Sequence, residues 1–430
     1  MLHKREHYAK GRGSVKETPS ALTHASRALR VLVAVLGASG VLWGAIAWAF
    51  ASPVGSSPDE DYHLASIWCP PPVEKSGCDF SVGADGSITT VEVPQLIPWA
   101  SVCLWADPTT DSSCTGEYSR TESFVTDRFD DGSYPWGYYQ TQNLFVGPDL
   151  ERSVLAMRIV NVVVGLGALL AIGALADPQT RRSLLVGSVV AWVPLGLYTV
   201  ASVNPSSWSI SGTAIFAAGL YVATEHEGWR RWFALALSAF GGFLCITSRG
   251  DAAFFVFVVS AAMWMLVPIA KKQVVPLVYS GLASLLGVIV LLTTGQANTL
   301  TADGGWQGNA SMSFPRLMLE NLLTFPEHMG RYWGLVSWGG RTPEIPMEIT
   351  PTGWSTVTMM LLAGGVILTG LSVLYWRKGL SALFLLAALV GVPVVGMSIR
   401  HVYPLQQYQG RYIGVSPFYW TGVVFSCLYF

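Results

Sequence analysis

Apolar residues in this chain come in blocks of roughly 18–23, and that single feature restricts the fold more than any other. About 20 apolar residues in a helix cross the roughly 30 Å hydrocarbon core of a bilayer. Inside lipid the backbone must satisfy its own hydrogen bonds, so such blocks span as helices. The blocks place spans at 31–51, 154–176, 184–203, 208–224, 232–248, 252–269, 274–294, 353–375, 380–397 and 413–430. Composition agrees: 12% of residues are charged and 51% hydrophobic, with a mean hydropathy of +0.43. A soluble chain carries about 25% charged residues. The expectation is an all-α polytopic membrane protein of about ten transmembrane helices.

The net charge of −1 conceals a strong segregation. Residues 52–152 hold 16 Asp and Glu against 4 Lys and Arg, a net of −12. The tail at 1–30 is basic, with Lys4, Arg5, Lys10, Arg12, Lys16, Arg27 and Arg30. Basic pairs recur in alternate connections: Arg181-Arg182, Arg230-Arg231, Lys271-Lys272 and Arg377-Lys378. The positive-inside rule puts these and the N-terminus in the cytoplasm, and the acidic segment outside. The first span is too long for the apolar core of a signal peptide and is read as a retained anchor. The expected organisation is therefore a cytoplasmic tail (1–30), a first span (31–51), an extracytoplasmic α/β loop domain (52–153), spans two to seven (154–294), a second outside loop (295–352) and spans eight to ten (353–430). The protein is expected as a multi-pass component of the cell membrane.

Four of the six cysteines, Cys69, Cys78, Cys103 and Cys114, lie in the acidic segment. An even count in an extracytoplasmic loop points to disulfides. Three pairings exist; Cys69–Cys78 and Cys103–Cys114 are favoured because each closes a short Pro/Gly/Asp-rich loop. The segment also carries a helix at 58–68, a strand-like run "SITTVEVPQLI" at 87–97 and the aromatic run "GSYPWGYYQTQNLFVG" at 132–147. In the second loop, "FPRLMLENLLTFPEHMGRYWGLVSWGG" reads as an amphipathic helix on the membrane surface, with Trp333 and Trp338 at the interface. Phosphate-binding glycine loops and metal-type Cys/His spacings do not occur, and nothing points to nucleic acid.

The densest chemistry follows the first span, in "SSPDEDYHLA". Ser57-Pro58-Asp59-Glu60 is a good helix start, with Ser57 as cap and Glu60 closing a capping box. That accounts for Ser57, Pro58 and part of Glu60, but it does not require Asp59, Asp61 and His63 together. On a helix Asp59 and His63 share a face, while Asp61 points elsewhere. A carboxylate beside an imidazole at a membrane boundary suits a general base, or a pair of ligands for a divalent metal ion from Asp59 and Glu60. "SVNPSSWSISG" (202–212) reads as a hairpin turned at Asn204-Pro205 with Ser206 or Ser207 capping the next helix, or as polar groups lining a cavity floor. "TSRGDAAF" (247–254) sets Arg249 and Asp251 between two spans, either as a local ion pair or with the arginine as an anion ligand. "SIRHVYPLQQYQGRYIGVSPF" (398–418) brings Arg400, His401, Arg411 and Tyr412 to the edge of the last span, as interfacial anchors or as phosphate contacts. An acidic helix and arginines on the outer side together fit transfer from a lipid-linked phosphate donor. The carboxylate takes the proton of an acceptor hydroxyl, and the arginines hold the leaving phosphate.

In order along the chain, "PDEDYHLA", "NPSSWSISG", "SRGDAAF", "WGLVSWGGRTPEIP" and "QGRYIGVSPF" resemble the marks of the bacterial domain-of-unknown-function 2142 membrane proteins, over about residues 30 to 430. The long cysteine-bearing first loop is similar to actinobacterial members. That family is in turn similar to the GT-C glycosyltransferases, which carry an acidic motif in the first outside loop and use polyprenyl-phosphate sugars. The resemblance implies a GT-C-like fold with Asp59 and Glu60 in the catalytic acidic position and Arg411 as a donor-phosphate contact; His63 is their expected partner on the same helix face. It implies a sugar moved from a polyprenyl-phosphate donor to a glycan or other acceptor of the cell envelope. Two other classes fit the spans: a transporter or flippase of lipid-linked sugars, and a non-catalytic scaffold whose outside domain binds a partner. A transporter predicts charges at mid-span and inverted repeats, whereas the charges here cluster at outer ends.

Overall fold

A computed structural model describes residues 21–57, 59–106, 112–191, 194–295, 312–332 and 376–399. The expected spans at 353–375 and 413–430, and Trp333, Trp338, Arg400, His401, Arg411 and Tyr412, lie outside the described residues.

Helix α1 (Ala21–Ala51) opens the described chain. Its stretch up to Gly44 belongs to one compact unit, and everything from Ala45 on belongs to a second. In the first unit the apolar side chains of Val31, Val33, Leu36 and Trp43 are more than half exposed. A continuous apolar helix surface of this kind is suited to lipid and costly in water.

The second unit begins with the last turns of α1 and passes into a small domain. Helix α2 (Glu60–Trp68) comes first, then a three-stranded antiparallel sheet of β1 (Phe80–Val82), β2 (Ile88–Pro94) and β3 (Ser123–Thr126) in the order β1-β2-β3. Along β2 the buried Val91 and Val93 flank the exposed Glu92, the period-two pattern of a half-buried strand. The strand-like run expected over 87–97 is thus a strand only to Pro94. Beyond it, α3 (Leu96–Ala106) buries Leu96, Ile97 and Ala100. Disulfide Cys69–Cys78 joins the end of α2 to the approach to β1, and Cys103–Cys114 ties α3 to the short turn at Ser112–Glu117. Both favoured pairings are present. Helix α4 (Gly137–Asn143), made from the aromatic run, buries Tyr138 and Tyr139 completely and leads to the bundle.

The bundle consists of α5 (Leu150–Leu175), α6 (Pro178–Ala191), α7 (Pro194–Val200), α8 (Pro205–Glu225), α9 (Trp229–Ser248), α10 (Gly250–Leu266) and α11 (Val274–Thr293). Two more helices are described, α12 (Phe314–Tyr332) and α13 (Trp376–Ile399), which pack on each other; α13 also packs on α10. Among the described residues four segments are long and apolar enough to cross a membrane: Val31–Ala51, Leu150–Leu175, Trp229–Ser248 and Lys271–Thr293. The third expected span, 184–203, takes in parts of α6 and α7, and residues 192 and 193 between them lie outside the described residues.

Helix α8 is the centre of the bundle, buried along nearly its whole length although Ser207, Ser209, Ser211 and Thr213 line its first turns. Two of these hydroxyls are satisfied within the helix: Ser211 donates to the Ser207 carbonyl and Thr213 to that of Ser209, both at 2.6 Å. Small residues let α9 approach closely. A Cβ added at Gly212 would lie 2.8 Å from the Gly241 carbonyl oxygen, and one at Gly219 2.9 Å from that of Ala234. Outward, Trp232, Phe243, Trp264 and Leu282 leave α9, α10 and α11 with exposed apolar surface.

Candidate functional site

The turn from α1 into α2 is organised by Glu60, which is completely buried. Its Oε2 accepts from the backbone N–H of Gly55 at 2.8 Å and of Ser57 at 3.4 Å. Both carboxylate oxygens accept from Arg158 Nη2, at 2.8 and 2.9 Å. Arg158 projects from the first turns of α5 and also donates to the carbonyls of Ala49, Ser52 and Pro53. Ion pair and carbonyls bind the end of α1, the turn and α5 into one knot. Gly55 sits in this turn at φ 82°, and a Cβ there would meet the backbone N of Ser101 at 2.6 Å, so glycine is required.

This corrects three sequence expectations. Glu60 does reach back to the Ser57 N–H, as a capping box requires, but Ser57 Oγ makes no cap bond, and the N-cap of α2 is Asp59. Glu60 faces Arg158 and not Asp59, so the two do not form a ligand pair for a divalent ion. Asp61 does not point away from Asp59. Arg128, between β3 and α4, donates from Nε to Asp61 Oδ2 at 2.5 Å and from Nη2 to Asp59 Oδ1 at 3.3 Å. Asp59 can present its carboxylate this way because its backbone is left-handed (φ 52°, ψ 23°), the single positive-φ non-glycine among the described residues. Aspartate tolerates this region better than most residues, and such local strain is a common mark of sites. The side chain of Asp59 is 26% exposed, that of Asp61 5%.

His63, one turn further along α2, is buried, with Nδ1 3.0 Å from the Tyr139 hydroxyl. Tyr62 and Tyr134 stand edge-on to its ring. Burial pushes its pKa down to about 3, against the pull of Asp59 and with the push of Arg249 and Arg128. The imidazole is therefore neutral. Asp130 lies beside this group and accepts from the Tyr62 hydroxyl at 3.2 Å and from the backbone N–H of Ser133 and Tyr134 at 3.0 and 3.1 Å. Burial outweighs these donors and raises its carboxyl to about 6.

The α9–α10 junction supplies the other side. Arg249 chelates Asp251, Nε to Oδ1 at 2.8 Å and Nη2 to Oδ2 at 3.1 Å. The local ion pair expected of "SRGD" is present. Burial opposes the guanidinium charge, but Asp251 more than offsets it, so Arg249 is held charged. The guanidinium lies 5.7 Å above the Tyr134 ring, and Nη1 donates to Ser206 Oγ at 3.3 Å. Ser206 opens α8, whose N-cap Asn204 accepts the Ser206 N–H at 2.8 Å. The chain turns at Asn204-Pro205 as expected, but the cap is Asn204 rather than Ser206 or Ser207, and the same turn meets Arg249.

Residues widely spaced in sequence thus converge at one end of α8: Asp59, Asp61 and His63 from α2, Arg128 and Tyr134 from the loop domain, Asn204 and Ser206 from α8, and Arg249 and Asp251 from the α9–α10 junction. Beneath them Asn161 of α5 accepts from Gln142 Nε2 at 2.7 Å and Trp208 Nε1 at 2.9 Å, and donates to the Ser202 carbonyl. Arg128, Asp130, Tyr139, Arg158 and Asn161 were not among the expected site residues. Arg158 and Asn161 carried a signal, being polar residues inside an apolar run, which are costly unless paired. Chemically, the site offers a partly exposed carboxylate, a neutral imidazole and a chelated guanidinium over an aromatic ring.

No curated protein and no solved structure matches this chain. A family model described as a predicted membrane protein of domain of unknown function 2142 matches residues 42–415, which takes in α2, the loop domain, the bundle and every described residue of this site. The chain belongs to the domain-of-unknown-function 2142 family of membrane proteins.

Proposed function

We propose that this protein is an integral membrane glycosyltransferase of GT-C type, with about ten transmembrane helices and a cytoplasmic N-terminus. It moves a sugar from a polyprenyl-phosphate donor to a cell-envelope acceptor on the outer face. The observation that carries this reading is the meeting of Asp59, Asp61 and Arg128 with Arg249 and Asp251 at the loop-domain end of the bundle. There a polar acceptor arrives from outside and a lipid-linked donor from the membrane.

In this reading Asp59 takes the proton of the acceptor hydroxyl as its oxygen bonds to the anomeric carbon. The bond from that carbon to the phosphate oxygen breaks, and the lipid phosphate leaves with the electron pair. Arg249 turns donors toward the developing phosphate charge, joined by Arg411, with Arg400 and Tyr412 as further contacts. Asp251 and Asn204 position Arg249, directly and through Ser206. Neutral His63 fixes the Tyr139 side of the pocket. Glu60 acts with Arg158 as the anchor that aims Asp59.

The test is transfer in proteoliposomes, with labelled polyprenyl-phosphate sugars and envelope acceptor, comparing wild type with Asp59→Asn. Transfer by wild type and at least about a hundredfold loss in the variant is expected, the scale of a general base. Equal transfer by both removes Asp59 from the chemistry. Donor binding without transfer indicates a transporter of lipid-linked sugars, and no donor binding indicates a scaffold.

A further inference from the structure

At the opposite end of α8, about 30 Å from Asn204 by helix rise, the chain assembles a second polar group that the site above does not use. Asp177 occupies the turn between α5 and α6, Glu225 is the last residue of α8, and His226 follows it. One carboxylate oxygen of each acid and a ring nitrogen of His226 all lie within 4.8 Å of one another. The two acids are exposed, whereas Nε2 of His226 is buried and has no hydrogen-bond partner.

Local cations do not explain the arrangement. Among the described residues neither Asp177 nor Glu225 makes a salt bridge, although Arg181, Arg230 and Arg231 are close in sequence. Arg181 is spent on the carbonyls of Gly173, Ala174 and Ala176, capping α5. Arg231 donates to the His226 carbonyl at 2.8 Å and approaches Glu227 at 4.0 Å, and Arg230 lies over the Trp229 ring. Thr180 is a polar partner within this group among the described residues, its hydroxyl donating to Glu225 Oε1 at 2.7 Å. Two carboxylates at this distance repel, and an orphaned buried imidazole nitrogen is costly. One divalent cation answers both.

We propose that Asp177, Glu225 and His226 form a binding site for a divalent transition-metal ion of the zinc class. Imidazole nitrogen with two carboxylates selects zinc or its neighbours over magnesium and calcium, which prefer all-oxygen shells. Bonds of about 2.0–2.2 Å put ligand atoms closer together than 4.8 Å, so small side-chain rotations close the site. Three protein ligands leave a position for water. The ion pins the α5–α6 turn to the end of α8, and this pin is independent of the chemistry at the other end.

The experiment is calorimetric titration of the full-length, tag-free protein in detergent with zinc chloride after stripping with chelator. Wild type is compared with Asp177→Asn and His226→Ala, with magnesium as control. One zinc per chain, a thermal midpoint that rises with zinc, and no response to magnesium are expected. Each variant should lose at least about 100-fold in affinity, since even outer-shell partners are worth about 10–100-fold. Asp177→Asn keeps a good helix-capping residue before α6, so it should melt like wild type in chelator. Absence of zinc binding by wild type, or equal binding by wild type and Asp177→Asn, overturns the site.

Discussion

Arg158 illustrates how one side chain decides the local architecture. Its guanidinium is 3% exposed and its partner Glu60 is 0% exposed, so each is tolerated only because of the other. Breaking such a pair costs about 3–5 kcal/mol, because the remaining charge stays buried. Arg158→Met should therefore lower stability by about that amount, and Arg158→Met with Glu60→Gln by clearly less, read from thermal midpoints in one detergent. His63 and Asp130 give a second, opposite pair of expectations. The His63 pKa falls from 6.5 in the unfolded chain to about 3, so acidification through that window protonates only the unfolded state and removes stability. The Asp130 pKa rises from 3.8 to about 6, so its contribution is present below 3.8 and is lost as pH rises through 6. Between pH 4 and 6 the two slopes oppose each other. Relative to wild type, Asp130→Asn should expose a loss of about 1.4 kcal/mol per pH unit on acidification. His63→Gln should do the reverse and gain stability there. Parallel pH profiles for all three proteins would contradict both assignments.

At the scale of elements, the glycines of α8 and α9 carry the packing. Gly212→Ala places a methyl 2.8 Å from both the Gly241 carbonyl oxygen and Leu244 Cβ, so the backbones must part. The expected cost is about 1–3 kcal/mol, the usual range for overpacking, and the same change at Gly167, with open space around it, should be nearly neutral. A denaturation midpoint for each variant decides it. The helices themselves were legible in the apolar runs, which match α5 and α8 to α11 to within a few residues. Their ends were not always so. α2 begins at Glu60 because Asp59 is left-handed, and the run from Ser87 to Ile97 divides at Pro94 into strand and helix. Apolar periodicity carries no information about either backbone switch.

For the whole molecule, the segregated charge predicts sidedness. The region 52–152, at net −12, belongs outside, and the connection bearing Arg181 and Arg182 inside. An alkaline phosphatase reporter fused after Gly147 should be active, and one fused after Asp177 inactive. The reverse pattern would invert the topology and would place the Asp59 site in the cytoplasm. The same experiment locates the zinc-class site, since Asp177 lies at the far end of α5 from Arg158.

From the sequence alone followed the helical class, the apolar runs that become α5 and α8 to α11, and both disulfide pairings. Those properties are local: run length, charge density and the distance between neighbouring cysteines are read within a few tens of residues. Which acid meets which arginine was decided only by the tertiary structure. Glu60 and Arg158 are 98 positions apart, Asp59 and Arg128 69, and Ser206 and Arg249 43. Adjacent carboxylates in "DED" look equivalent on paper, yet one is buried as an anchor and its neighbours face a partly exposed cation. No local period encodes that division; it arises when α1, α5 and the loop domain pack and each carboxylate meets the donors it finds there.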